Sequence, residues 1–369
     1  MTKTALPYRA EVVGSLLRPD YLKEAVEAAA GGQITPEELR EAQDRAALEA
    51  IALQEACGVD VLTDGEVRRR FWFDPLTVSV SGYNPEVPAP VPFSAGKGKE
   101  ATGPPPLLPA VTDKLAYRRN LPLEEFTFVR QHARTPTKTT IAGMTYASVL
   151  WVPGYSDTVY PDRDEYMQEA LEIMTRVVGE VIDAGADYVQ LDSPRYTHLV
   201  SEEGRENLRR VGLDVETWLG DMIEADNALI RRFPDVTFAV HLCRGNHRSM
   251  WSVEGGYDAI AEQLFNQLAV DRILAEYDSP RAGTFAPLRF VPEDKTVVLG
   301  LITTKEPELE DADQLKARIG EAAAYVPLER LALSPQCGFA STLPGNKVTE
   351  TDQRAKLELV SRVARAVWG

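Results

Sequence analysis

His241, Cys243, Glu276 and Cys337 are the residues of this chain best placed for chemistry, because each stands at or just past the end of a short apolar run. The runs are Thr237 to Leu242, Arg272 to Tyr277 and Leu331 to Cys337, and each reads as a buried β-strand. In a parallel sheet their C-terminal ends would come together. Two thiolates, an imidazole and a carboxylate form a four-ligand set suited to zinc, and such a site can ionise a substrate thiol at neutral pH. His241 and Cys243, two apart on a strand, share one face. The chain has only three cysteines and four histidines, so three of its seven such groups fall in this set. A lone cysteine is more often a small buried hydrophobe, and Cys57, at a helix end, reads that way. A purely structural zinc is the competing reading. Such sites usually come as Cys-x-x-Cys pairs in small modules, whereas ligands from three strands suit a catalytic ion at the mouth of a barrel.

The elements that must position these residues alternate. Eight short apolar runs can be counted: Ala10 to Gly14, Asp60 to Thr63, Thr139 to Gly143, Tyr188 to Leu191, Phe238 to Leu242, Ile273 to Tyr277, Val297 to Ile302 and Leu331 to Leu333. Helical periodicity fills most of the intervals. Met167, Leu171, Met174, Val178, Val181 and Ile182 mark one helix face, which ends at Ala184-Gly185, where glycine suits a left-handed cap. Ala50 to Glu55 followed by Cys57-Gly58 repeats the grammar. This is an α/β pattern, and eight units predict a single (β/α)8 TIM barrel occupying residues 1–369 as one catalytic domain. The rhythm breaks twice. A long insertion after the second strand, residues 82–134, opens with a stretch rich in proline and glycine and could cover a substrate or mediate a homo-oligomer contact. Gly245 to Gly256 forms a second long loop.

With 369 residues, 44% hydrophobic and 26% charged, the chain can bury a large core. Its net charge of −16 opposes sequence-independent attraction to nucleic acid or anionic membrane and favours small-molecule partners. Met1 to Arg9 has no signal-peptide core, no stretch approaches a membrane span, and no Asn-x-Ser/Thr acceptor occurs, so a cytoplasmic location is expected. Reduced thiols would then be free to bind metal. A P-loop, a dinucleotide glycine fingerprint and a His-Glu-x-x-His helix are all missing from the sequence.

Other polar residues also track the run ends. They are Ser15, in Val12-Val13-Gly14-Ser15, then Asp64 and Glu66, Asp192, and Lys305. Taken singly, Glu66 and Asp192 could be solvated carboxylates or helix caps. Taken with the metal set they offer two anions for a substrate ammonium, while Val13, Gly14 and Ser15 could present donors to a carboxylate. The combination describes an amino-acid thiol. His198 and His247 lie in loops and read as surface residues, and His132 carries no motif. Trp72, Trp151 and Trp251 could wall a pocket, although aromatic core filling is commoner.

The segments His241-Leu-Cys243-Arg244-Gly245-Asn246, Glu276-Tyr277-Asp278 and Leu333-Ser-Pro-Gln-Cys337-Gly338-Phe339-Ala340-Ser341 resemble the zinc motifs of the cobalamin-independent methionine synthase family. Val12-Val13-Gly14-Ser15, Asp64-Gly65-Glu66 and Gln190-Leu191-Asp192 resemble its substrate motifs. The match runs from about Tyr8 to Trp368 and is to the C-terminal catalytic half of the long two-barrel enzymes. It implies Zn2+ on His241, Cys243, Glu276 and Cys337, with homocysteine held by Ser15, Glu66 and Asp192. The implied activity is methyl transfer to homocysteine, giving methionine, from a 5-methyltetrahydrofolate-type or other donor. Two positions depart from the long enzymes: Met144 stands where they stack a tryptophan on the pterin, and Lys305 where they carry a histidine. Short single-barrel members, epoxyalkane:coenzyme M transferase among them, share the Ala10 to Pro19 opening and the Cys243-Arg-Gly-Asn motif. A zinc-dependent transferase adding coenzyme M or another thiol to an epoxide is therefore the alternative, with Arg18, Arg195, Arg244 and Lys305 as cations for its sulfonate. A non-catalytic zinc- or thiol-binding protein is the third reading.

Overall fold

The structure is a computed structural model that describes residues 6–90 and 107–369. Six parallel strands form a continuous sheet: β3 (Thr139–Ala142), β4 (Tyr188–Asp192), β5 (Thr237–Leu242), β6 (Arg272–Glu276), β7 (Thr296–Ile302) and β8 (Leu331–Pro335), each paired with the next in chain order. The ring closes through two shorter segments. Ala10 bridges in parallel to Leu333 of β8, Glu11 to Val61, and Leu62 to Thr137 just before β3. Backbone bonds fix both seams: Glu11 N donates to Leu333 O at 3.0 Å, and Lys138 N to Leu62 O at 3.0 Å. Counted this way, eight parallel segments follow the eight apolar runs of the sequence.

Inward side chains fill the ring in layers, as a barrel of this size requires. One layer takes Val13, Val61, Tyr188, Ala239, Leu274, Val298 and Ala332 from seven of the eight segments. Beneath it lies a buried polar layer. Glu11 pairs with Arg272 and accepts from Lys138 Nζ and Tyr188 Oη, both at 2.9 Å. Its four members come from four different parts of the ring, the first segment, the residue before β3, β4 and β6, so its satisfied pairs tie the bottom of the ring together.

The helices run outside, and local chemistry sets their ends. Pro36–Cys57 begins with a capping box from Thr35 and Glu38 and stops at Gly58, whose φ of 74° is the left-handed conformation that glycine adopts at no steric cost. Arg163–Asp183 is the helix that the apolar spacing predicts, and Gly185 follows it at φ 101°. The insertion is more ordered than its composition suggests. Val80–Pro90 (β1) and Leu107–Tyr117 (β2) pair antiparallel, and the helix Leu121–His132 leads into β3. Residues 91–106 of the insertion, for which the sequence leaves open a substrate-covering loop or an oligomer contact, lie outside the described residues. The hairpin docks on the segment after β3, with Tyr83 Oη 3.0 Å from Tyr166 Oη and Val111 N bonded to Leu150 O at 2.8 Å.

Candidate active site

The C-terminal ends of β5, β6 and β8 bring the four proposed ligands together. One donor atom each from His241, Cys243, Glu276 and Cys337 lies within 4.8 Å of every other, and all four side chains are buried. The two sulfurs are 3.5 Å apart and unbridged. Both ring nitrogens of His241 are buried without a hydrogen-bond partner. An orphaned imidazole between two thiols and a carboxylate is costly unless a cation uses the lone pairs, so these residues fit a zinc ion. Their electrostatics agree. Burial opposes a charge on His241, but Cys337, Asp192 and Glu276 raise its pKa to about 9. The hydrogen bond between the two thiols pushes Cys337 well down, with His241 adding to the effect, and pushes Cys243 well up. A thiolate is therefore favoured at Cys337. Outer groups hold the carboxylate and a sulfur: Arg244 N reaches Glu276 Oε1 at 3.0 Å, Arg281 reaches Oε2 at 3.3 Å, and Gly245 N points at Cys243 Sγ from 3.3 Å.

A cavity open to solvent at its mouth adjoins this cluster, and His241, Cys243 and Cys337 line it. Val13, Gly14, Ser15, Glu66 and Asp192 line it as well, so the proposed substrate residues share one space with three of the four ligands. Glu66 sits there in an unusual backbone state, φ 53°, directly after Gly65 at φ 73°. Left-handed geometry at a residue with a Cβ costs about 1–2 kcal/mol. Asp64 Oδ1 accepting from Glu66 N at 2.8 Å holds the turn. The Glu66 side chain is held in place: Ser15 Oγ donates to Oε2 at 2.7 Å, Thr140 Oγ1 to Oε1 at 2.6 Å, and Arg69 lies 3.2 Å from Oε1, which leaves Oε2 able to accept again. Gly14 leaves the room for it, since a Cβ there would stand 3.1 Å from Glu66 Oε1. Asp192 is oriented by Gln190, whose Nε2 bonds Asp192 Oδ1 at 2.8 Å and Val13 O at 2.7 Å. Burial, opposed by His241 and reinforced by the charge of Glu66, raises Asp192 to about 7. A buried wall that carries the Glu66 and Asp192 carboxyl groups is a place where a cationic group is stabilised.

The opposite wall is aromatic. Phe71, Trp72, Phe73 and Tyr146 line it, with the Trp72 and Tyr146 rings 4.6 Å apart. A strap holds Trp72 over the cavity, its backbone N bonded to Ser341 O at 3.0 Å. Trp151 and Trp251 are not among the lining residues, and neither is Met144; Tyr146, two residues on, presents its ring instead. Of the four cations considered for an acidic substrate, only Arg195 lines the cavity. Arg18 binds Ala340 O and Glu66 O, Arg244 lies over the Tyr257 ring, and Lys305 braces the loop after β5 through Gly245 O, Asn246 Oδ1 and Met250 O. His198 and His247, read as surface residues from their loop positions, are both buried, and His198 lines the cavity beside Arg195. Loops that fold back over a barrel mouth are buried despite their composition. The sequence reading also passed over Asn246, which donates to Gly338 O at 2.6 Å and locks the β5 loop to the β8 turn.

A parallel ring with a thiol-rich cation site and paired carboxylates at its C-terminal mouth defines a thiol-handling barrel, and comparison with known proteins agrees. Residues 10–365 match the family model described as the catalytic domain of cobalamin-independent synthase, and the chain belongs to that family. It is 39% identical over 367 residues to the uncharacterized protein YxjH of Bacillus subtilis, covering 98% of this chain and 95% of that one. It is 25% identical over 335 residues to the methionine synthase of Saccharolobus solfataricus, covering 89% and 87%. Among solved structures, a provisionally assigned vitamin-B12-independent methionine synthase from Listeria monocytogenes superposes over the whole of both chains with a TM-score of 0.73 at 28% identity. A B12-independent methionine synthase from Shewanella superposes over 98% of each chain with a TM-score of 0.75. At 18% identity that likeness speaks for the fold. The barrel expected from the sequence is thus shared with these relatives.

Proposed function

We propose that this chain is a zinc-dependent S-methyltransferase that converts homocysteine to methionine, acting as one catalytic domain in the cytoplasm. The observation that carries the reading is the convergence of His241, Cys243, Glu276 and Cys337 within 4.8 Å beside a cavity that Glu66 and Asp192 also line. Family membership and a relative named methionine synthase support it. Among the described residues no helix is long and apolar enough to cross a membrane.

Held by those four residues, a zinc ion supplies the charge that brings a substrate thiol's pKa down from about 8.5 towards neutrality or below. The remaining work belongs to the chain. Glu66 and Asp192 take the ammonium of the amino acid, and backbone groups of the Val13 to Ser15 segment take its carboxylate, the Ser15 hydroxyl being committed to Glu66. These contacts aim the sulfur, and the aromatic wall holds the methyl donor against it while excluding water. Sulfur then attacks the methyl carbon as the bond from that carbon to its carrier breaks. Metal analysis should find one zinc per chain. Incubation with homocysteine and a panel of methylated folates, methylcobalamin and small methylthio compounds should give methionine with at least one donor. A protein without zinc, or one that makes no methionine from any of them, refutes the reading. Arg195 on the cavity wall favours a second reading, addition of a sulfonate-bearing thiol to an epoxide. Binding of homocysteine and coenzyme M measured side by side separates the two.

A further inference from the structure

Arg195 is a buried cation without a carboxylate. It lies in the loop after β4, three residues beyond Asp192, with 6% of its surface exposed, and it lines the cavity. Its single hydrogen bond runs from Nη1 to His198 Nε2 at 3.1 Å, and Nε finds no partner. No ion pair to Arg195 occurs among the described residues, whereas every other fully buried charge around the site has an oxygen to answer it: Arg69 with Glu66 and Glu125, Arg18 with two carbonyls, Lys305 with three oxygens. Arg244, away from the cavity, rests on the face of Tyr257 at 4.4 Å, and Arg195 has the more distant ring of Tyr146 at 5.7 Å, which carries no counter-charge. His198 does not neutralise Arg195. Its Nε2 accepts the arginine proton, so the ring is neutral, and both burial and Arg195 hold its pKa well below the usual histidine range. The histidine therefore orients the guanidinium and leaves its charge unspent. An arginine keeps its proton in any protein, and an unanswered charge in a buried wall is costly unless something entering the cavity carries the opposite one.

We infer that Arg195, aimed by His198, is a specificity-determining residue that pairs with an acidic group, a carboxylate or sulfonate, on a molecule bound in the cavity. This rests on the proposed thiol chemistry and deepens it, because the cavity then has two poles. Glu66 and Asp192 accept a cation, while Arg195 accepts an anion on the wall of the same cavity. The planar fork of the guanidinium suits a two-oxygen acceptor. Two sources fit: the acid group of the thiol substrate, which Arg195 would then share with the Val13 to Ser15 backbone, or one on the methyl donor.

Calorimetric titration of the zinc-loaded protein distinguishes them. The thiols are homocysteine, 3-aminopropane-1-thiol, which lacks the carboxylate, and 2-sulfanylethanesulfonate, which lacks the ammonium. The proteins are wild type, Arg195→Met and Arg195→Lys. If the thiol carries the acid, Arg195→Met weakens homocysteine and the sulfonate about ten- to hundredfold, the size of a charge-assisted bond, and leaves the aminothiol unchanged. Arg195→Lys should recover part of that loss. If the donor carries the acid, thiol affinities hold while KM for an acidic methyl donor rises and KM for a neutral one does not. A second readout separates binding from architecture. Removing an unpaired buried charge should raise the thermal midpoint of Arg195→Met without ligand, whereas removing a structural strut would lower it. The inference is overturned if wild type binds these thiols and, in Arg195→Met, neither the affinities of the two acidic thiols nor KM for an acidic methyl donor changes by more than twofold, or if that variant's midpoint falls. Should wild type bind no thiol at all, the functional reading fails instead. Butanoate, which has no sulfur, then tests the arginine alone: it should raise the wild-type midpoint and not that of Arg195→Met, and equal responses would refute the pairing.

Discussion

Gly338→Ala should damage the metal centre without touching a ligand. Gly338 follows Cys337 directly, and a Cβ added there would stand 2.8 Å from Ser15 N, 3.0 Å from Ser15 O and 3.1 Å from Ser15 Oγ. Ordinary contact begins at 3.4 Å, so one of the two backbones must retreat by about 0.6 Å. The Ser15 side has little room to give, since Ser15 O accepts from Phe339 N at 2.6 Å and its hydroxyl is tied to Glu66. If the β8 turn moves, Cys337 moves with it, and a displacement of 0.6 Å is about three times the ~0.2 Å latitude of a metal–sulfur bond. Overpacking of this kind costs about 1–3 kcal/mol of stability, and disturbance of a ligand's support typically costs about 10- to 100-fold in metal affinity. Zinc affinity measured by competition with a chelating dye, alongside the thermal midpoint, reads both. Gly320→Ala is the control. It sits in the last turn of the helix Ala312–Ala322 with nothing within 4 Å of the new Cβ, and should leave stability and zinc affinity undiminished. Zinc affinity within twofold of wild type in Gly338→Ala would refute the claim that the Ser15 contact sets the position of Cys337.

Glu66→Gln should weaken homocysteine about tenfold or more by removing a charge from the ammonium site, and leave 2-sulfanylethanesulfonate unaffected; equal losses for both ligands would contradict the assignment. Burial works to raise the pKa of Glu11, but Arg272 and Lys138 outweigh it and the net shift is downward from 4.5. Its stabilisation is therefore complete above about pH 4.5 and is lost as pH falls through the lower folded-state value. Glu11→Gln strands two buried cations and should cost about 3–5 kcal/mol at pH 7, a deficit that shrinks in strong acid. Chemical denaturation across pH checks this, and a deficit that stayed constant into strong acid would show that Glu11 acts by packing alone.

The metal set and the ring were legible because they depend on features that a single sequence displays. Apolar runs mark strands, and chirality places their ends on one face, so His241, Glu276 and Cys337 could be assembled before any coordinates. The helix Arg163–Asp183 and the Gly58 cap followed from periodicity and from glycine's tolerance of positive φ. The β1–β2 hairpin was not legible: proline and glycine broke the alternation that signals a strand, and the pairing is itself irregular, with register shifts after Ser81 and Asn84. His198 was misplaced because loop position says nothing about what folds above it. Lys305 shows the reverse error. Its place after β7 suggested a substrate cation, yet three oxygens turn it into a brace. Side-chain direction at a loop is decided by neighbours distant in sequence, and those neighbours are invisible until the chain is folded.

The closure of the ring by Ala10 and Leu333 orders the events of synthesis. The β8 edge that the Val13, Gly14 and Ser15 segment joins leaves the ribosome more than three hundred residues after that segment, together with Cys337. Until then the growing sheet presents open edges to its surroundings, the condition in which nascent strands pair with the wrong partner. Neither the cation site nor the pocket beside it can form until β8 and Cys337 have emerged and met the Val13 to Ser15 segment.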